Sequence, residues 1–249
     1  MTGADVVRVR NISKSFGGIK AVDDVSFEIR DGEILGVIGP NGCGKTTLFN
    51  CLLGQYRPDR GRVELDGRDV SRWPSHRRAQ SGLARTFQLL QVFESMTVRD
   101  NLKTAAQEHI GSIGSRLFRR PDMGLGDKVD RLIERFRLGH LADERAGVLS
   151  YGQQKLLDVA MAFMAGPRLV LLDEPAGGVN PTMLAGLRER LREINAAQRA
   201  TFVVIEHNME FVMALCSRLI VLAEGRIIAE GAPAEVRRDP LVIEAYLGH

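Results

Sequence analysis

The fold is decided by Gly39-Pro40-Asn41-Gly42-Cys43-Gly44-Lys45-Thr46. This stretch matches the pattern G-x-x-x-x-G-K-S/T, which is typical of a phosphate-binding loop. Glycines let successive backbone N–H groups turn towards one anion, and the helix that follows adds its positive end. Lys45 can reach the outer phosphates, and the Thr46 hydroxyl can bind Mg²⁺. The pattern predicts that these eight residues, with Thr47 next to them, bind the phosphates of a nucleotide.

The residues around this loop predict an α/β unit. Ile34–Ile38 is a short apolar run without helical period, and residues 45–53 favour a helix. Two later apolar runs, 169–172 and 202–205, have the pattern of buried parallel strands and end in polar residues. Ligands bind at the carboxyl ends of the strands in such sheets. We therefore expect the functional residues at these ends.

Other stretches predict an antiparallel β layer and a helical subdomain. Short strands are expected at 6–9, 25–29 and 63–65, and a hairpin at 219–229. Helical periodicity begins after about residue 89, interrupted by a glycine- and arginine-rich segment at 109–126 that is expected to be a mobile surface loop.

The fold class predicted is therefore α/β, a P-loop NTPase core with an antiparallel β layer and an inserted helical subdomain. One domain is expected over 1–249, with the nucleotide-binding core at about 1–88 and 166–249 and the helical subdomain at about 89–165.

Composition excludes several classes of protein. The 249 residues include 34 basic and 31 acidic side chains, and a net charge of +3 is weak evidence for a nucleic-acid surface, so no nucleic acid is expected as a partner. Cys43, Cys51 and Cys216 lack metal-site spacing and are predicted to be reduced thiols. No apolar run is long enough to span a bilayer and no signal peptide is recognisable at the start, so the chain is expected not to enter a membrane by itself.

A second chemical element follows the strand at 169–172. Asp173 and Glu174 are carboxylates at the end of a buried strand. Asp173 can hold Mg²⁺, and Glu174, one residue further, can polarise a water that attacks the γ-phosphate. Acidic residues end many strands, so this pair alone is a modest signal. Together with the phosphate-binding loop upstream, it predicts a site for nucleotide hydrolysis.

Leu149-Ser150-Tyr151-Gly152-Gln153-Gln154 resembles the signature sequence of ABC-type ATPases, whose usual form is Leu-Ser-Gly-Gly-Gln. Further residues match other marks of that family: an aromatic at the adenine-stacking position, a glutamine that ends the run 85–88, a residue in the loop after Pro175 and a histidine after the strand 202–205. They are Phe16, Gln88, Asn180 and His207. The resemblance runs from about residue 6 to the end of the chain.

The resemblance implies a head-to-tail dimer with ATP and Mg²⁺ between the two chains. Ser150, Gly152 and Gln153 of one chain would cover the γ-phosphate held by the other. His207 would contact that phosphate, and Gln88 would sense Mg²⁺ and water. Catalysis is thus expected from Glu174, His207 and Gln88, and metal binding from Thr46, Gln88 and Asp173.

Two positions depart from the family pattern. Tyr151 replaces the first glycine of the commonest signature, and Asn180 stands where aspartate is usual. Asparagine still donates and accepts hydrogen bonds but carries no charge. Both departures bear on the coupling of the dimer.

A narrower resemblance comes from several stretches, namely the run 82–88, Phe93, the run 96–98, the segment 109–126 and the ending 242–248. Together they look like the ATP-binding subunit of branched-chain amino acid importers, with urea or amide importers and the lipopolysaccharide-export ATPase as close alternatives. The partners implied are integral membrane permease subunits, a second ATP-binding subunit and, indirectly, a periplasmic or extracellular solute-binding protein. The location implied is peripheral, at the cytoplasmic face of the cell (inner) membrane, with residues 89–93 forming a groove for a permease helix.

Other interpretations remain open at this point. The chain could be a non-transport ABC protein, a small-molecule kinase or a nucleotide-binding regulator with little turnover. Phe16 could be a core aromatic, although the glycines after it favour a turn, and His207 alone would be an ordinary surface histidine. We interpret His76, Arg77 and Arg78 as solvated charges.

Overall fold

Two β-sheets form the frame of the computed structural model, which describes residues 5–86, 92–108 and 124–247. The larger sheet has the strand order β10-β9-β3-β8-β7-β6 and is parallel except for the β9–β10 hairpin. Its strands are β3 (Ile34–Ile38), β6 (Leu83–Arg85), β7 (Leu169–Asp173), β8 (Thr201–Ile205), β9 (Arg218–Ala223) and β10 (Arg226–Gly231). The three central strands are wholly buried, which explains their uninterrupted apolar sequences.

The smaller sheet is antiparallel, with the order β2-β1-β4-β5. It consists of β1 (Asp5–Phe16), β2 (Ile19–Arg30), β4 (Arg60–Leu65) and β5 (Arg68–Asp69). The predicted antiparallel layer is confirmed, but β1 and β2 are 12 residues each and extend well beyond the predicted cores. The extra length comes from pairing with each other up to the tight turn at Gly17 and Gly18.

Helices cover both faces of the larger sheet. They are α1 (Lys45–Leu53), α2 (Ser75–Gln80), α3 (Val98–Glu108), α4 (Leu125–Arg135), α5 (Tyr151–Phe163), α6 (Pro181–Gln198), α7 (Met209–Leu215), α8 (Pro233–Val236) and α9 (Pro240–Leu247). Residues 109–123 lie outside the described residues. Leu125 and Gly126 belong to α4, so the end of the predicted surface loop is wrong.

Two apolar clusters hold these layers together. One lies between the two sheets and contains most of α1. The other packs α3, α4 and α5 against the opposite face of the larger sheet, where Phe163 contacts Phe136 and Phe202 with ring centroids 5.7 and 5.9 Å apart. Within the described ranges, no helix has the length and apolar character needed to cross a membrane.

Arg78 corrects one interpretation of the sequence. It is 1% exposed, and its guanidinium donates to the carbonyl oxygens of Cys51 and Leu52 at 2.6 Å. These carbonyls belong to the last turn of α1, where the regular hydrogen-bond pattern of the helix ends. Burial lowers the pKa of Arg78, and its hydrogen bonds make it a structural residue rather than a solvated charge.

Candidate functional site

The phosphate-binding loop connects the buried strand β3 with α1, as predicted. Lys45 is the first residue of α1, and its Nζ donates to the carbonyl oxygens of Gly39 at 2.7 Å and Pro40 at 2.9 Å. Gly44 has a φ of 104°, and a Cβ there would lie 2.1 Å from the carbonyl oxygen of Ala21. The loop therefore closes around the ammonium group and tolerates no side chain at Gly44.

The two sides of the loop differ in exposure. Asn41, Gly42 and Thr46 are exposed to solvent, whereas Cys43 is 4% exposed. The Cys43 Sγ lies 3.6 Å from the Lys45 Nζ, on the core side of the loop. The loop thus presents backbone and hydroxyl groups outward and keeps its thiol inside.

Two aromatic residues stand at the tip of the β1–β2 hairpin and after α1. Phe16 is 44% exposed, and the ring of Tyr56 meets it edge-on with centroids 5.3 Å apart. The Lys14 Nζ lies 5.4 Å from the Phe16 centroid and is held by Asp59 at 2.8 Å. Phe16 is therefore at a turn, as the glycines after it predicted, and it is joined by Tyr56, which no motif of the sequence indicated.

Asp173 ends β7 with its carboxylate buried. Its Oδ2 accepts a hydrogen bond from the Arg85 Nη2 at 2.6 Å, and the Arg85 Nη1 donates to the Asn50 Oδ1 of α1 at 3.0 Å. Arg85 thus ties Asp173 to the helix that follows the phosphate-binding loop. Gln88, predicted to bind metal and water, lies outside the described residues.

Glu174 and His207 come together from the ends of β7 and β8. The Glu174 Oε1 lies 3.9 Å from the His207 Nδ1. Glu174 has a φ of 47°, and its N–H donates to the carbonyl oxygen of Ile205 at 2.9 Å, which fixes the carboxylate beyond the end of the sheet. These two side chains, 33 residues apart in sequence, therefore lie close together. This is expected because the carboxyl ends of neighbouring parallel strands meet at the same edge of the sheet.

Glu206 is a functional candidate that sequence reasoning missed. It is 0% exposed. Its Oε1 accepts a hydrogen bond from the N–H of Ala176 at 2.6 Å, and its Oε2 accepts from the N–H groups of His207 at 2.8 Å and Asn208 at 2.9 Å. Three backbone donors compensate the buried carboxylate. Glu206 therefore holds the backbone of His207 and the loop after Glu174 in one arrangement.

The signature residues begin α5. Ser150 is the N-cap, and Gln153 completes a capping box by accepting from the Ser150 N–H at 2.9 Å. A Cβ on Gly152 would lie 2.7 Å from the Cε of Met183 on α6. Gly152 thus lets α5 pack closely on the Met183 side chain of α6, while the N-terminal end of α5 remains open to solvent at Ser150.

Both departures from the family pattern have structural explanations. A Cβ on Gly178 would lie 3.3 Å from the Tyr151 ring, so this tyrosine packs on the loop that precedes α6. Asn180 is the N-cap of α6, and its Oδ1 accepts from the Met183 N–H at 3.0 Å. Asparagine is as good an N-cap as aspartate.

The donor set suits a magnesium ion bound together with a nucleotide. In the described ranges, no group of three or more His, Cys, Asp or Glu side chains forms a metal cage. The Thr46 hydroxyl and the Asp173 carboxylate are oxygen donors of the kind that Mg²⁺ takes when phosphates and water supply its other ligands. The residues present therefore fit Mg²⁺ at a nucleotide and not a closed protein site.

Comparison with known families agrees with this geometry. Residues 22–177 match the family model of the ABC transporter, more than half of the chain. The chain belongs to the ABC transporter family. As an ATPase of this family it binds nucleotide and hydrolyses ATP. The family match therefore excludes the alternative that the chain is a small-molecule kinase. A second model, of the branched-chain amino acid ATP-binding cassette transporter, matches residues 226–249.

Relatives of this ABC ATPase match over nearly its whole length. It is 36% identical to the high-affinity branched-chain amino acid transport ATP-binding protein BraF of Pseudomonas aeruginosa, and 38% identical to LivG of Salmonella typhimurium, with 98% of each chain covered in both cases. The crystal structure of the ADP conformation of an ATP-binding cassette of an ABC transporter superposes with a TM-score of 0.85 at 34% identity, covering 98% of this chain and 99% of that one. The predicted fold class is confirmed.

Proposed function

We propose that this chain is the ATP-hydrolysing subunit of an importer of branched-chain amino acids, working as an ATP-driven dimer beneath a permease at the cytoplasmic face of the membrane. The observation that carries the proposal is the full-length match to BraF and LivG together with the match of residues 226–249 to the branched-chain family model. That final segment contains β10, α8 and α9, which lie outside the general family match.

ATP binding starts with the base and the phosphates. Phe16, supported by Tyr56, offers an exposed ring face against which adenine can stack. When ATP binds, the Lys45 ammonium gives up its hydrogen bonds to the loop carbonyls and donates instead to phosphate oxygens, which carry more negative charge. Thr46 and Asp173 are the residues that would hold Mg²⁺, which supplies charge neutralisation at the phosphates.

Hydrolysis requires a base aligned with the γ-phosphate. In this proposal Glu174 accepts a proton from the attacking water, and His207 donates a hydrogen bond to the γ-phosphate. Their 3.9 Å separation supports a joint role. Gln88 is proposed to sense Mg²⁺ and the attacking water. Glu206 does not touch the substrate and acts as a positioning residue for both loops.

Dimerisation completes the site from the second chain. The solvent-exposed N-terminus of α5 at Ser150 favours negative charge, and it would cover the γ-phosphate on the partner chain with Gly152 and Gln153. The contact of Tyr151 with Gly178 supports coupling between this helix and the loop before Asn180. ATP then joins the two chains, and hydrolysis separates them. The bound nucleotide therefore shifts the equilibrium between the joined and the separated state.

A groove between α2 and α5 supports docking of the permease. It has a volume of about 320 Å³, and its walls include Leu53, Ala84, Ala105 and Met161 together with the charged Arg85. An amphipathic permease helix fits this mixture of apolar and charged groups. Arg85 also binds Asp173, so the groove wall is connected to the nucleotide site. Residues 89–91 of the predicted groove lie outside the described residues. Phe93, the last residue of that prediction, is exposed to solvent.

The proposal is tested by affinity purification of the chain from detergent-solubilised native membranes, with mass spectrometry of whatever co-purifies. We expect a multi-span permease, an ATP-binding subunit and an amino-acid-binding protein. The matched control is a chain with Ala84→Glu in the groove wall, which should retain nucleotide binding and lose the permease. Recovery of the unaltered chain without any permease would overturn the proposal.

A further inference from the structure

A basic cleft lies at the opposite edge of the larger sheet from the nucleotide site. Its volume is about 640 Å³, and one wall is α4 while the other consists of the turns before β7 and β8. These turns precede the amino ends of the strands, whereas Asp173 is the last residue of β7 and Glu206 directly follows β8. Five residues of strand separate the two edges by roughly 15 Å, so the cleft is not part of the ATP site.

Five cationic side chains converge on this cleft. Three are spaced along one face of α4, and two stand on the facing turns; they are Lys128, Arg131, Arg135, Arg168 and Arg199. Their carboxylate partners are Asp31, 4.0 Å from Arg168 and 3.7 Å from Arg199, and Asp66, 3.1 Å from Arg168. The cleft therefore carries an excess of about three positive charges.

The cations of α4 are not neutralised by their surroundings. No ion pair joins Lys128, Arg131 or Arg135 to any described residue, and the neighbouring Asp130 is paired with Arg99. Burial lowers the pKa of Arg135, and repulsion from Arg131 lowers it further. Like charges held this close destabilise one another, and an anion between them removes that cost.

The floor of the cleft strengthens its attraction for anions. Leu132 and Phe163 line it and are 3% and 7% exposed. A low-dielectric floor beneath charges of one sign concentrates the electrostatic field. Four of the five cations are arginines, whose planar forks bind two phosphate oxygens at once. The volume is within the range of small-molecule sites.

We propose that the basic cleft binds a small soluble metabolite with a diphosphate or larger phosphate group, which ties α4 to the amino edge of the sheet. A diphosphate carries about three negative charges at neutral pH and so matches the excess on the protein. The ligand contacts arginines from both walls, and it thereby links the helical part of the chain with the turns at 166–168 and 198–200.

The experiment measures pyrophosphate binding by calorimetry in chains that all carry Lys45→Ala, so that binding at the phosphate loop is weakened equally. We expect Arg131→Gln/Arg135→Gln to bind about tenfold more weakly. The control Arg237→Gln/Arg238→Gln removes two exposed charges outside the cleft and should bind as the parent does. Thermal melting of each variant verifies that it is folded.

Hydrogen exchange locates the bound anion. Protection by pyrophosphate at 125–135 and at 198–200 together supports the proposal. Equal affinity in the cleft variant and the control, or protection confined to 39–47, overturns it. Binding of an acidic peptide such as polyglutamate without binding of pyrophosphate also overturns it, because the cleft is then a protein-docking surface.

Discussion

The Glu206 Oε1 lies 2.6 Å from the backbone nitrogen of Ala176, so a buried side chain at the end of β8 holds the loop that follows Glu174. The other carboxylate oxygen holds the N–H of His207. The loop after the proposed base and the backbone of the proposed catalytic histidine are therefore hydrogen-bonded to the same carboxylate. Movement of one loop without the other would leave a buried acceptor or donor unpaired.

Glu206→Gln should lower both stability and turnover. The amide nitrogen cannot accept a hydrogen bond, so at least one of three backbone N–H groups is left unpaired at a cost of about 1–3 kcal/mol. We expect kcat to fall at least about tenfold while KM for ATP changes little, because the phosphate-binding loop is untouched. Steady-state ATPase assays and urea unfolding measure the two effects.

Glu210→Gln is the matched control for this variant, since Glu210 is exposed at the start of α7, four residues away. It should behave as the unaltered chain. If Glu206→Gln reduces kcat and raises KM in parallel, or matches the control, Glu206 does not position the catalytic loops.

Glu174→Gln should stop turnover without preventing nucleotide binding. The amide keeps the size of the side chain but cannot accept the proton of the attacking water, and we expect kcat to fall at least about a hundredfold. ATP affinity should be unchanged, and an ATP-bound dimer should accumulate in size-exclusion chromatography with light scattering. Glu189→Gln, an exposed glutamate on α6, is the control. Near-normal hydrolysis by Glu174→Gln would remove this residue from the role of base.

Phe16→Ala should weaken ATP binding selectively. Loss of the exposed ring removes a stacking surface of about 1 kcal/mol or more, which raises KM for ATP about five- to tenfold and leaves kcat within about twofold. Phe16→Trp should restore KM. Phe93→Ala, which removes another exposed ring, should leave KM unchanged. A normal KM for Phe16→Ala would show that the base stacks elsewhere.

The three thiols should react with iodoacetamide slowly and in a fixed order. All are buried. Burial raises the pKa of Cys51 to about 11 and of Cys216 to about 12, so at pH 8 only about one thousandth of Cys51 is thiolate. Cys43 should react first because a local opening of its solvent-exposed loop uncovers the thiol, and bound ATP should slow the reaction. Mass spectrometry of the labelled peptides gives the order, and earlier labelling of Cys216 would contradict it.

Local sequence patterns predicted the parts of the site that lie close together along the chain. The phosphate-binding loop needs glycines and a lysine at fixed spacing, and the Asp173–Glu174 pair follows an apolar strand, so both are visible as runs of residues. The structure adds why Gly44 cannot carry a side chain, namely the carbonyl oxygen of Ala21, and it shows that Gly152 leaves room for the Met183 side chain.

Contacts between distant segments could not be predicted in this way. Arg85 meets Asp173 across 88 residues, and Glu206 meets Ala176 across 30. Arg78 was misjudged because its partners, the last carbonyls of α1, become close only when α2 packs on α1. A signal did exist for Glu206, since a charge directly after five buried strand residues requires a partner.

The role of this chain in amino acid import is tested by the uptake of radiolabelled leucine, isoleucine and valine by cells in which the chain has been deleted and then restored. We expect that the unaltered chain restores uptake of all three, that Glu174→Gln restores none although it binds ATP, and that Glu189→Gln restores uptake fully. Unchanged uptake in the deleted cells, or restored uptake of urea or another solute in place of these amino acids, would contradict it.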